Sequence, residues 1–177
     1  MSSRAQSPTR GRTARRRLAA ASVTALAAAL FAGTALVAEP VRVPTASMEP
    51  TVRAGDQVLL YKPGRADPHR GDLVVFHAGD GSMLLKRVAA VAGQQVGIED
   101  GVLVVDGRPI REPYVRASEV DGLYYGPVRV PAGHVFVLGD NRADSTDSRA
   151  FGPVPVSRIA GRVRIRLWPL GRIPEAR

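Results

Sequence analysis

Ser47 lies in Pro44-Thr45-Ala46-Ser47-Met48-Glu49-Pro50-Thr51, a few residues after a long apolar run. A serine hydroxyl is a poor nucleophile until a base takes its proton. Hydroxyls between prolines ordinarily satisfy nearby backbone groups in a turn, so Ser47 needs a partner before it reads as anything more. Histidine is the usual base, but the three histidines sit in a polar turn (His69), at a strand end (His77) and at a strand start (His134), and no G-x-S-x-G surrounds Ser47. Arginine does not deprotonate in proteins, which leaves the chain's two lysines among its 25 basic residues. Lys62 lies beside Pro63-Gly64 in a solvated turn. Lys86 stands in Met83-Leu84-Leu85-Lys86-Arg87-Val88-Ala89-Ala90-Val91, an apolar strand. At a reference pKa of about 10.4, fewer than ~1 lysine in 1,000 is neutral at pH 7, so a depression worth about 3 to 4 kcal/mol is needed for a useful base. Burial supplies such a depression if Lys86 faces inward. The opposite phase, with Arg87 inward and Lys86 in water, fits so apolar a run equally well.

A third stretch, Val135 to Gly152, runs from a strand into a loop dense in amides, hydroxyls and opposite charges: Gly139-Asp140-Asn141-Arg142, then Ser145, Asp147, Ser148 and Arg149. Such loops can orient a reacting group, and they also occur as solvated turns. No cysteine is present, which excludes disulfides, thiolate metal sites and a cysteine nucleophile. No H-E-x-x-H or similar cluster points to a bound metal, and no cofactor is expected.

The elements that must position these residues follow from charge and periodicity. Of the net charge of +9, six arginines lie in residues 1–17 with no acid, while residues 39–177 carry 19 basic and 16 acidic residues. That asymmetry is a membrane-topology signal rather than a nucleic-acid footprint, and no nucleic-acid partner is expected. Residues 1–17 read as a disordered cytoplasmic tail. Leu18 to Ala38 is 21 residues without a charge, long enough to cross a bilayer as a helix, with residues 39–177 outside the cytoplasm. A cleavable signal peptide is the competing reading, and the length of the run favours the anchor.

Beyond the run, strand patterns cover Val41 to Val43, Asp56 to Tyr61, Asp72 to His77, Met83 to Ala92, Gln95 to Ile98, Val128 to Val130 and His134 to Leu138. Val102 to Val105 and Arg108 to Ile110 flank Asp106-Gly107 as a hairpin. From Gly161 to Trp168, Arg162, Arg164 and Arg166 alternate with Val163, Ile165 and Leu167, one wet face and one buried. For Trp168-Pro169-Leu170 contact with lipid is one reading, since Trp favours the membrane interface, and core or edge packing of Trp168 is the commoner one. No helical period is visible after the apolar run. The fold class is therefore mainly β: one N-terminal membrane helix, then a single antiparallel β-rich domain.

Taken together, these stretches resemble the bacterial type I signal peptidases, membrane-bound serine proteases that remove signal peptides from exported proteins. The resemblance rests on Pro44 to Thr51, Gly55-Asp56-Gln57-Val58, Gly71-Asp72-Leu73-Val74-Val75-Phe76, Lys86-Arg87-Val88, and Gly139-Asp140-Asn141-Arg142 with Asp147-Ser148-Arg149. It implies Ser47 as nucleophile and Lys86 as general base. It further implies the Thr45 hydroxyl beside the Ser47 N–H in an oxyanion hole, Ser145 orienting the lysine amine, and Asp147 with Arg149 as a supporting ion pair. Ala143-Asp144 departs from the Asp-Asn common in relatives, which bears on the loop's hydrogen bonding rather than on the dyad. The implied substrates are preprotein signal peptides with small residues at −1 and −3, cut at the outer face of the lipid bilayer near the export translocon.

Topology agrees with that implication. Only Glu39 to Ala46 separate the run from Ser47, which keeps the hydroxyl within roughly 30 Å of a membrane. Two other readings are a catalytically silent, membrane-anchored peptide-binding domain assisting export, and a self-cleaving repressor. The pairing of Ser47 with Lys86 argues against the first, and the lack of a helix-turn-helix pattern against the second.

Overall fold

The computed structural model describes residues 38–62, 67–116 and 122–173. The basic tail and the expected membrane helix up to Val37 lie outside the described residues. Ala38, expected as the helix's last residue, is instead the first residue of a strand. Among the described residues no helix is long and apolar enough to cross a membrane.

Among the described residues twelve strands form two antiparallel sheets. The larger contains β1 (Ala38–Arg42), β2 (Gln57–Tyr61), β11 (Ile159–Trp168), β3 (Leu73–His77), β4 (Met83–Val91), β9 (His134–Leu138) and β10 (Val154–Pro155) in that spatial order, with β12 (Gly171–Arg172) paired to β11. The smaller runs β7 (Arg108–Pro109), β6 (Val102–Val105), β5 (Gln95–Glu99), β8 (Tyr125–Arg129). The Asp106-Gly107 hairpin forms as its sequence predicts. Both turn residues hold positive φ, 52° and 72°, which the short Asp side chain and glycine tolerate.

Three apolar clusters form among the described residues. One gathers Val43, Met48, Val52, Val58 and Leu60 with Leu73, Val75 and Val163, and so packs the turn after β1 onto the large sheet. Met48 is fully buried, a contribution of about 1.5–3 kcal/mol that fixes the residue next to Ser47. A second cluster joins Ala89, Ala90, Phe136 and Leu138 of the large sheet to Val96, Ile98, Leu103 and Val105 of the small one. The third holds Val74, Phe76, Val88, Val135, Val137 and Val154.

Three expectations need correction. The alternation along β11 fails at Ile165, which is 42% exposed, because the register against β2 shifts between Val163 and Ile165. Arg164 is the extra residue of that bulge, and an extra residue reverses the faces beyond it. Trp168 is not packed in a core: it is 71% exposed where β11 turns into β12. A helix also exists outside the apolar run, α1 (Ser148–Phe151), which at four residues is too short to leave a period in the sequence.

Candidate active site

The Ser47 turn is closed by backbone bonds from Glu49 N–H to Ala46 O and from Val52 N–H to Met48 O. At its base Val43 N–H donates to Asp56 O and Gly55 N–H to Val43 O, holding the turn against the start of β2. Lys86 comes from β4, where it lies opposite Val74 of β3. These two elements bring Lys86 Nζ to 2.6 Å from Ser47 Oγ, across 39 residues of sequence. Lys86 is 3% exposed and Ser47 8%. Burial pushes the Lys86 amine below its ordinary pKa of 10.5, and the Arg149 charge pushes the same way. The carboxylates of Asp147 and Asp140 pull against that shift without reversing it. Thr45 Oγ1 stands 3.2 Å from Ser47 Oγ, on the exposed side of the turn.

The sequence left open whether Lys86 or Arg87 faces inward, and the structure buries both. Every residue from Lys86 to Ala90 is buried, because β4 is covered on its two faces by different clusters. Arg87 turns away from Lys86, makes a bidentate pair with Asp140 at 2.8 Å for each bond, and stacks 3.9 Å from the Tyr114 ring centroid. Burial acts against the Arg87 charge, but the Asp140 pairing outweighs it and holds the guanidinium above its usual pKa.

The loop after β9 closes over the turn. Asp147 caps α1, accepting from Arg149 N–H, and pairs with Arg149 Nε at 2.8 Å. Its second oxygen accepts Gly139 N–H at 3.0 Å. Burial would raise the Asp147 pKa, yet these donors hold it below the usual carboxylate range. Ser145 reaches the site but forms no bond to Lys86: its Oγ is buried and has no hydrogen-bond partner among the described residues. It lies against Gly139, where a Cβ would collide with the Ser145 side chain and come within 2.6 Å of the Ser47 carbonyl oxygen. Asn141, for which no role was expected, donates its backbone N–H to Ser47 O at 3.1 Å and its Nδ2 to Ala46 O at 3.3 Å. The only signal for it was its place inside Gly139-Asp140-Asn141-Arg142.

A cleft of about 750 Å³ opens on this group. Thr45, Ser47, Leu84, Lys86, Phe76 and Phe151 are among its lining residues. Met83 to Lys86 pair with β3 on one side, whereas β9 begins its pairing only at Arg87, so that edge of β4 has no strand partner among the described residues. None of the three histidines bonds to Ser47; His134 Nδ1 meets Ala132 O, and His69 lies 4.0 Å from Asp72. No group of three or more His, Cys, Asp or Glu side chains among the described residues could hold a metal.

A family model described as signal peptidase, peptidase S26, matches residues 15–168. The chain belongs to that family. It is thereby a serine hydrolase of the signal peptidase type. It is similar to a probable signal peptidase I-2 of Synechocystis sp., 36% identical over 146 residues covering 77% of this chain and 66% of the relative. A probable signal peptidase I-1 of the same organism is 37% identical over 147 residues, covering 77% of this chain and 74% of the relative. A crystal structure of a signal peptidase I from Enterococcus faecalis V583 shares 30% identity and covers 55% of this chain and 97% of its own, with a TM-score of 0.49, too low to support a statement about the fold.

Proposed function

We propose that the chain is a membrane-anchored endopeptidase that removes signal peptides from exported preproteins through a Ser47–Lys86 dyad. The observation that carries this reading is the 2.6 Å approach of Lys86 Nζ to Ser47 Oγ in a buried setting that favours the neutral amine. The neutral amine takes the Ser47 proton as Oγ attacks the scissile carbonyl carbon, and the C=O electron pair moves to oxygen. Ser47 N–H and the Thr45 hydroxyl are the donors for that oxyanion. The C–N bond breaks as the Lys86 ammonium returns its proton to the leaving amine. Lys86 then deprotonates a water that attacks the acyl-enzyme, and the released Ser47 oxygen recovers a proton from Lys86. No metal or cofactor is required by these steps.

The role of Ser145 is to steady the Lys86 amine, since a buried hydroxyl without a partner is costly unless something takes it up during the cycle. Asp147 and Arg149 hold the loop that carries it. An extended substrate segment pairs with the free edge of Met83 to Lys86, its alternate side chains entering the cleft beside Leu84 and Phe76. The family resemblance implies small residues at −1 and −3 there. The apolar run of residues 18–37 anchors the chain with its N-terminus in the cytoplasm and the β domain outside, near the translocon, where a signal peptide in the bilayer presents its cleavage site.

Incubation of the detergent-solubilised full chain with a preprotein, followed by mass spectrometry of the products, tests this. A single cut after a small residue, absent for Ser47→Ala and Lys86→Ala, is the expected result. Cleavage by either variant at the wild-type rate refutes the dyad.

A further inference from the structure

Ala46 C=O and Ser47 N–H belong to one peptide group, so whatever holds the Ala46 oxygen also aims the Ser47 N–H. Two donors reach that oxygen: Glu49 N–H at 3.0 Å from within the turn, and Asn141 Nδ2 at 3.3 Å from the loop after β9. Asn141 Oδ1 accepts Asp144 N–H at 3.3 Å, which leaves Nδ2 as the end that faces Ala46. Asn141 N–H in turn holds the Ser47 carbonyl, so the two peptide groups flanking the nucleophile's Cα both rest on this one residue.

Asn141 is itself fixed from both sides. Asp140 is bound to Arg87, with both side chains no more than 2% exposed. Arg142 bonds Gly139 O through Nε at 2.9 Å and reaches Glu112 Oε1 at 2.7 Å, with side chains 1% and 7% exposed. Glu112 belongs to the segment that leaves the small sheet after β7, and it is held there by the Tyr114 hydroxyl at 2.9 Å. Tyr114 in turn carries the Arg87 guanidinium on its ring. Burial, and then the Glu112 carboxylate, push the Tyr114 phenol above its usual pKa, so it stays a neutral donor over the working pH range. The second terminal nitrogen of Arg142 is buried with no partner among the described residues, which makes Glu112 that guanidinium's one carboxylate. Two cations and two anions thus brace the residues on either side of Asn141, and one of the anions is supplied by the segment that follows β7.

We propose that Asn141, braced by the Glu112–Arg142 ion pair, is a positioning residue that aims the Ser47 N–H at the developing oxyanion. The segment after β7 thereby takes part in catalysis without touching substrate. The inference rests on the Ser47–Lys86 reading above. A hydrogen bond to the carbonyl of the Ala46–Ser47 peptide also polarises that amide, so Nδ2 both orients the N–H and strengthens it as a donor. Losing an oxyanion donor outright costs about 10²- to 10³-fold in turnover, so a donor that is kept but misaimed costs less.

The test compares wild type, Asn141→Ala, Glu112→Gln and the double variant. The substrate is a p-nitrophenyl ester of a short Ala-terminated peptide, alongside its thiono counterpart, with the adduct on Ser47 read by intact-mass spectrometry. Asn141→Ala keeps every buried ion pair. It is expected to lower the acylation rate about 10- to 100-fold with KM within about twofold, and to shrink the preference for oxygen over sulfur, which a purely structural role would not change. Glu112→Gln is expected to lower the rate about 5-fold, and the double variant to be no slower than Asn141→Ala within about twofold. Multiplied losses in the double variant, or an unchanged oxygen-to-sulfur preference in Asn141→Ala, overturn the proposal. Wild-type rates in Asn141→Ala with a normal Ser47 adduct overturn it alone. Absence of any Ser47 adduct in the wild type overturns the dyad reading and this proposal with it.

Discussion

Adding one methyl group at position 139 perturbs the site without touching a reacting atom. A Cβ at Gly139 would lie 2.6 Å from the Ser47 carbonyl oxygen, whereas ordinary contact begins near 3.4 Å, so the oxygen or the loop must move by about 0.8 Å. It would also collide with the Ser145 side chain, so relief needs more than one group to shift. The Ser47 carbonyl is tied to Asn141 N–H at 3.1 Å, and a movement of that size along the bond breaks it. Overpacking a tight site costs about 1–3 kcal/mol of stability, and a misplacement near 1 Å can lower turnover by about 10²-fold. Gly139→Ala is therefore expected to reduce kcat about 10- to 100-fold while remaining folded. Steady-state kinetics on a peptide spanning a cleavage site, with urea denaturation of the same preparation, measures both quantities. A kcat within twofold of wild type at unchanged stability would refute the close-approach argument.

Asp147→Asn removes the largest attraction that raises the Lys86 pKa and leaves Arg149, which lowers it, unbalanced. The acid limb of kcat/KM against pH should therefore move to lower pH in this variant, and a shift to higher pH would contradict the assignment of that limb to Lys86. For stability the sign follows from proton counting. The folded Lys86 pKa lies below its unfolded value, so the unfolded chain binds more protons between the two, and the penalty for the buried amine is full below the folded pKa and lifts as pH rises towards 10.5. Lys86→Met should accordingly gain on wild type at neutral pH and lose that advantage at alkaline pH, as read by urea denaturation across pH. Asp140→Ala removes the carboxylate that makes the bidentate pair with the buried Arg87 and should cost about 3–5 kcal/mol by the same measurement.

Much of the site could be read from the residues, and the remainder was hidden for physical reasons. Ser47 and Lys86 stood out as candidates because so few groups in the chain could serve as base, and the family resemblance paired them. The phase of β4 was not, because alternation identifies a wet face only when one exists, and this strand has none between Lys86 and Ala90. Along β11 the pattern was right until Arg164, where a bulge reversed it, and a bulge leaves no mark in the order of side-chain types. The one-turn helix α1 depends on the Asp147 cap rather than on periodicity. Asn141 acts through its place in a loop folded on the Ser47 turn, 95 residues from Ala46 in sequence, a contact that no local pattern encodes. The membrane helix expected from Leu18 to Ala38 lies outside the described residues save for Ala38, which pairs with Tyr61 in a sheet.

Lys86 acting as the base for Ser47 is the step on which the chemistry depends. Its most direct test is the pH dependence of acyl-adduct formation on Ser47, followed by intact-mass spectrometry for wild type, Lys86→Arg and Lys86→Met. Wild type should acquire one adduct at a rate that rises through a pKa below 10.5, and both variants should acquire none over the same interval. An adduct on Ser47 in Lys86→Met at a rate comparable to wild type would contradict the account.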